Sequence, residues 1–271
     1  MSQGVLPEKV SGAGPRGPER RPASTWRPDL VLPAIPIGAL VLVLALQFSG
    51  AAKGTELSDP GAFTRWALPF ATLIHHSAMA VTIGALVFAA TVLPRSTKPH
   101  RARKGSHGTD GGEVHPAFAR TMNIAAGAAM VWTLAAVAVL ILTFSDVSGL
   151  PLSADAAYTD SMKDYILNIS LGQAWAWMIV IAAVASSLAF VVRSPVGVGL
   201  SAVFSLFGII PLSLIGHAAG GDDHWGAVNG ILLHLLGLCI WGGGIVVLAC
   251  VAPQLQTPAP GKFSSTRPVL A

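Results

Sequence analysis

Read for hydrophobic pattern alone, the chain divides into long, nearly uninterrupted apolar runs separated by polar connections. Six such runs stand out: Leu30–Phe48, Trp66–Leu93, Ala119–Phe144, Leu171–Val192, Val196–Ile215 and Val228–Val251. Each is close to the roughly 20 residues that a helix needs to cross a bilayer. The pattern predicts an all-α fold, a polytopic transmembrane bundle of about six helices. Pro33 and Pro36 fall in the first turns of the first run, where a missing amide donor matters least, whereas Pro211 falls late in the fifth and predicts a kink there. The first run is 19 residues long, beyond the roughly 7–15 of a signal-peptide core, and is read as a retained helix. Residues 1–28 are rich in Pro, Gly and Arg without apolar periodicity and read as a disordered cytoplasmic tail. Residues 29–252 form the bundle, and 253–271 a second cytoplasmic tail.

Composition supports the same solvent. Apolar residues make up 52% of the chain and charged ones only 11%, against about 25% charged in soluble domains. The net charge of +4 does not point to nucleic acid, because its placement is that of a membrane protein. Fourteen of the seventeen Lys and Arg residues fall in the N-terminal tail, between the second and third runs (Arg95 to Lys104, with Arg120 just beyond), at Arg193, and in the C-terminal tail. Only Lys53, Arg65 and Lys163 fall in the alternate connections. Basic loops stay cytoplasmic, so both termini are expected inside the cytoplasmic (inner) membrane. The opposite connections are acidic: Glu56 and Asp59, then Asp146, Asp155, Asp160 and Asp164, then Asp222 and Asp223. They read as solvated loops, or as a weak lure for external cations. Cys239 and Cys250, eleven residues apart in one apolar run, indicate neither a disulfide framework nor a thiolate metal site.

The eight histidines separate into two groups. His100, His107 and His115 lie in the basic connection and read as loop residues. His75, His76, His217, His224 and His234 all map toward the outer half of the membrane or its outer mouth. Counted from the ends of their runs, His75 is about 13 Å deep and His234 about 9 Å. An imidazole in lipid must find a partner: either it bridges to another helix or it marks a functional site. Met79 lies one turn from His75 on the same helix face, and an imidazole with a thioether suits monovalent copper, whereas His224 beside Asp222 and Asp223 better suits a divalent ion. Gly242-Gly-Gly244 would let another helix backbone approach closely. No phosphate loop, G-x-S-x-G or H-E-x-x-H occurs, and nothing assembles a nucleophile, base and oxyanion hole, so no enzyme is expected.

Leu214-Ile-Gly-His-Ala-Ala219, Leu233-His-Leu-Leu-Gly237 and Ile240-Trp-Gly-Gly-Gly244 together resemble the copper-resistance D (CopD) family of bacterial inner-membrane proteins, with His75 and His76 in keeping. The basic tail and early helices are similar to an actinobacterial form in which a CopD-like part precedes a cytochrome oxidase assembly part. The resemblance covers roughly residues 30–252. It implies copper transport or copper resistance at the cell membrane, with inward movement of the ion or its delivery to oxidase assembly, and periplasmic copper carriers or assembly proteins as partners. It also implies further helices after the sixth, so the chain reads as a shortened form. Within this reading the candidate metal ligands are His75, His76, His217, His224, His234 and Met79. His217 and His224 would capture the ion at the outer mouth, and His234 with His75 or His76 would hold it inside. A haem-binding electron carrier, with histidines of two helices as axial ligands, and a structural assembly partner without metal are the alternatives.

The charge pattern makes a direct prediction. A topology reporter fused after Arg103 is expected to be active only in the cytoplasm, and one near Asp155 only outside. The opposite result reverses the orientation of all five membrane-associated histidines.

Overall fold

The structure, a computed structural model, describes residues 34–54, 58–96, 114–215 and 224–256. The two expected tails, except for residues 253–256, lie outside the described residues, as do His100, His107 and most of the basic connection. Among the described residues the fold is an all-α bundle. The elements are α1 (Ala34–Ser49), α2 (Ala62–Thr91), α3 (Pro116–Ser148), α4 (Ala156–Asn168), α5 (Ser170–Val191), α6 (Pro195–Leu206), α7 (Ile209–Leu214), α8 (His224–Gly237), a π-helical segment (Leu238–Gly242) and α9 (Gly243–Gln256). Five stretches are long and apolar enough to span a membrane: α2, α3, α5, α6 with α7, and α8 through α9; α1 is a shorter apolar helix. This is a multi-pass membrane protein.

The long antiparallel helices α2 and α3 form the most extensive contact of the bundle, and α5 packs against α3. Thr64 and Ser145 share a buried hydrogen bond of 3.0 Å at one end of the α2–α3 pair. At the other end the Arg95 guanidinium lies over the Phe118 ring and donates to the Pro195 carbonyl, which ties the start of α3 to the start of α6. The two ends differ in charge as the sequence pattern requires, with Asp59, Asp146, Asp155, Asp160 and Asp164 at the first and Arg95, Arg120 and Arg193 at the second.

Several local features depart from the pattern. The second acidic connection contains a helix, α4, started by Asp155, whose carboxylate accepts from the Tyr158 amide at 2.7 Å. It was hidden because its short apolar stripe cannot fill a window 20 residues wide. Tyr158 and Tyr165 on that stripe are buried against Phe144, with ring centroids 5.0 and 5.3 Å away, and burial pushes the Tyr165 hydroxyl up to about 12. The fifth run does break, at Phe207 and Gly208. The cause is Pro211: a proline ring collides with the carbonyl four residues back, here Phe207, and supplies no amide to bond it. His115 is no loop residue. It is the N-cap of α3, its Nδ1 accepting from the Ala117 amide at 3.2 Å. Finally, α9 runs to Gln256, four residues past the expected end of the bundle.

The π-segment interrupts the sixth run, and beyond it Gly243, Val247 and Val251 face inward. Gly243 and Gly84 meet where α9 crosses α2. A Cβ added at Gly84 would collide with the Gly243 backbone, and one at Gly243 with the Ala80 carbonyl. The expected close approach at the glycine run is therefore made by its middle member. Gly84→Ala is expected to cost about 1–3 kcal/mol through overpacking, whereas Gly230→Ala, with open space above it, should stay within about 0.5 kcal/mol of the parent. Denaturant unfolding in mixed micelles measures both, and equal stability of the two variants would contradict the crossing.

Candidate metal site

Lipid offers no hydrogen bonds, so each polar side chain inside the bundle must be satisfied by the bundle itself. Two such groups sit near the middles of the two longest helices. Trp132 is sixteen residues from either end of α3, and His75 is thirteen residues into the 30-residue α2. Because α2 begins at Ala62 rather than Trp66, His75 lies about 20 Å along the helix, close to its midpoint. Antiparallel pairing brings the two middles together. The Trp132 indole Nε1–H donates to Nε2 of His75 at 3.1 Å. Both residues are fully buried.

An indole N–H can only donate, so Nε2 of His75 must present its lone pair. The neutral ring therefore carries its proton on Nδ1. That atom is buried and has no hydrogen-bond partner among the described residues. Around the ring stand His76 and Trp175, each edge-on with centroids 5.2 Å away. Met79, on the same helix face one turn further, is 1% exposed. Met178 of α5 and Cys239 of the π-segment are buried in the same core cluster as Met79, Trp132 and Trp175. The ring of Trp132 is held from another side by the break in the fifth span, since a Cβ on Gly208 would come within 2.7 Å of it.

Thus the structure brings His75, His76 and Met79 together on α2. It does not bring His234 to them. His234 is exposed on α8 and makes no hydrogen bond or ring contact among the described residues. The inward line of α8 runs through Val228, Leu232, Leu235 and Cys239, and His234 lies roughly 120° around the helix from that line. Residue counting places His234 along the helix but not around it, because this helix is apolar all round and shows no preferred face. His217 lies outside the described residues. His224 opens α8, and its side chain is not among those described. Among the described residues no three His, Cys, Asp or Glu side chains are grouped as a metal site. The candidate ligands that share one turn of α2 are two imidazoles and a thioether, donor types of the soft kind that suits monovalent copper.

Four carboxylates of the acidic connections serve local structure. Asp59 pairs with the Arg65 guanidinium, and the Gly61 amide, with Arg65, holds its carboxyl below the usual range. The Ser153 hydroxyl and then the Tyr158 amide lower Asp155 in the same way. Asp160 pairs with Lys163, and Asp164 accepts from Asn168. Glu56, Asp222 and Asp223 lie outside the described residues.

Trp132 and Trp175 were not singled out from the sequence. The signal was present for Trp132, since tryptophans favour membrane interfaces and one at mid-span must find an acceptor in the protein. Among protein-family models, that of the copper resistance protein D-like N-terminal domain matches residues 57–227. Comparison with curated proteins and with solved structures gives no match.

The His75–Trp132 bond is itself testable by a double-mutant cycle. His75→Leu and Trp132→Phe should each destabilise the protein, and the double variant should lose less than their sum by about 0.6–1.7 kcal/mol. Strict additivity would mean that the bond contributes nothing.

Proposed function

The chain belongs to the copper resistance protein D-like family, and we propose that it takes up Cu(I) at the outer face of the cytoplasmic membrane and passes it inward, toward the cytoplasm or oxidase assembly. His217 and His224 receive the ion at the outer mouth. His75, with His76 and Met79, forms the interior station. The observation that supports this most strongly is the unpartnered Nδ1 of His75 at the centre of the bundle. A buried polar atom left without a partner costs roughly 1–3 kcal/mol. A purely structural bridge gives no reason for that cost, whereas a ring whose proton and partner must rearrange when an ion arrives is left unsatisfied in its ion-free form. The flanking thioether and second imidazole are the donors that soft monovalent copper prefers.

Passage rather than turnover is the role in this reading: the chain is a carrier and not an enzyme. Conduction requires a site strong enough to be entered and weak enough to be left, and three neutral donors suit that better than a thiolate cage. The haem alternative needs a second axial ring facing His75 across a porphyrin. Here the rings beside His75 are those of His76, its neighbour on α2, and Trp175, each 5.2 Å away, and among the described residues no histidine of another helix faces it, which supports copper.

The test is metal content and visible spectrum together, on the full chain purified in detergent. The expected result is Cu(I) bound without a Soret band, at least tenfold weaker in His75→Gln and in Met79→Leu, and unchanged in His234→Ala. A Soret band without copper, or copper retained equally in both α2 variants, would overturn this reading.

A further inference from the structure

We propose that Trp132 is the group an incoming copper ion must displace, so that copper binding at His75 and the Trp132–His75 hydrogen bond exclude one another. The inference rests on the copper reading above and adds to it a residue that reading does not use.

The argument is one of lone pairs and protons. His75 has one ring nitrogen able to accept, Nε2, and the Trp132 indole N–H occupies it at 3.1 Å. The other nitrogen, Nδ1, carries the ring proton and cannot ligate. Copper can approach in two ways. At Nε2 it takes the lone pair that the indole now uses, the indole bond breaks, and Nδ1 keeps its proton. At Nδ1 it requires the proton to move to Nε2, which places an N–H donor against the indole N–H donor. Both routes end the hydrogen bond, and neither changes the total number of protons on the ring.

Position supports the same role. Trp132 is completely buried and comes from a different helix from all three ligands. The far edge of its ring lies against Gly208, at the break between α6 and α7. The indole is therefore seated against a place where the backbone ladder is already interrupted. Trp132 is a positioning residue in this account. It holds His75 in the form that does not bind, and so lowers the affinity of the interior station and speeds release.

The experiment compares Cu(I) affinity, by competition with a chromophoric chelator, in the purified full chain and in Trp132→Phe, each with His75 or with His75→Gln. The expected result is copper held roughly two- to tenfold more tightly in Trp132→Phe, the worth of one neutral hydrogen bond, and no such gain when His75 is Gln. Unchanged or weaker affinity in Trp132→Phe, while the parent binds copper through His75, overturns the displacement and leaves the copper reading standing. A parent chain that does not bind Cu(I) through His75 overturns both. A second measurement follows the indole itself. Of the seven tryptophan indole N–H signals in the ¹⁵N spectrum, the one lost in Trp132→Phe reports the Trp132 bond, and it should shift in His75→Gln. It should move in the same direction when Cu(I) is added to the parent chain, and a signal that stays in place overturns the proposal.

Discussion

An indole N–H in the middle of an apolar helix bundle has no water to turn to, and among the described residues it finds its acceptor in the imidazole of the neighbouring helix. That constraint organises the bundle. It fixes the register of α2 against α3, because the two middles must meet for His75 to receive the Trp132 hydrogen. The pair is enclosed behind Trp175, Met79 and Met178, and its indole ring fills the space left at the break of the fifth span, where Gly208 lets the backbone pass over it. The glycine crossing of α2 and α9 lies a little more than two turns along α2 from His75 and closes the other flank.

The same bond creates the chemical tension on which function turns. By accepting from Trp132, His75 commits its proton to Nδ1, and that atom is left without a partner. A bundle evolved only to be stable would have removed such a cost, since a leucine in place of the imidazole and a phenylalanine in place of the indole would pack without it. Retaining both fits a site whose ligand capacity is masked rather than missing. In the reading proposed above, copper is the ion that capacity serves, a reading supported by the family match and the soft donors beside the ring.

Much of this architecture was legible in the sequence, and the illegible part has a common cause. Length and continuity of apolar runs reveal spans, and all five long ones appear where the runs lie. Charge segregation reveals which ends belong together, and Arg95 and Asp155 stand at opposite ends as read. Direction around a helix is another matter. In a soluble protein the polar face tells it, but α8 is apolar on every side, so His234 could be placed along the helix and not around it. His75 and Met79 were found because spacing of four residues is independent of azimuth. Trp132 was missed because its partner lies 57 positions away in sequence, a distance that no local pattern spans. Short elements such as α4 fall below the window that finds spans.

The central claim is that the imidazole anchoring the bundle is also the copper ligand. X-ray absorption at the copper edge of the Cu(I)-loaded full chain tests it most directly, because it reads the atoms bound to the ion. The account predicts imidazole nitrogen together with one thioether sulfur, the nitrogen contribution falling in His75→Gln and the sulfur disappearing in Met79→Leu. A coordination shell without imidazole, or one unchanged in both variants, would contradict it.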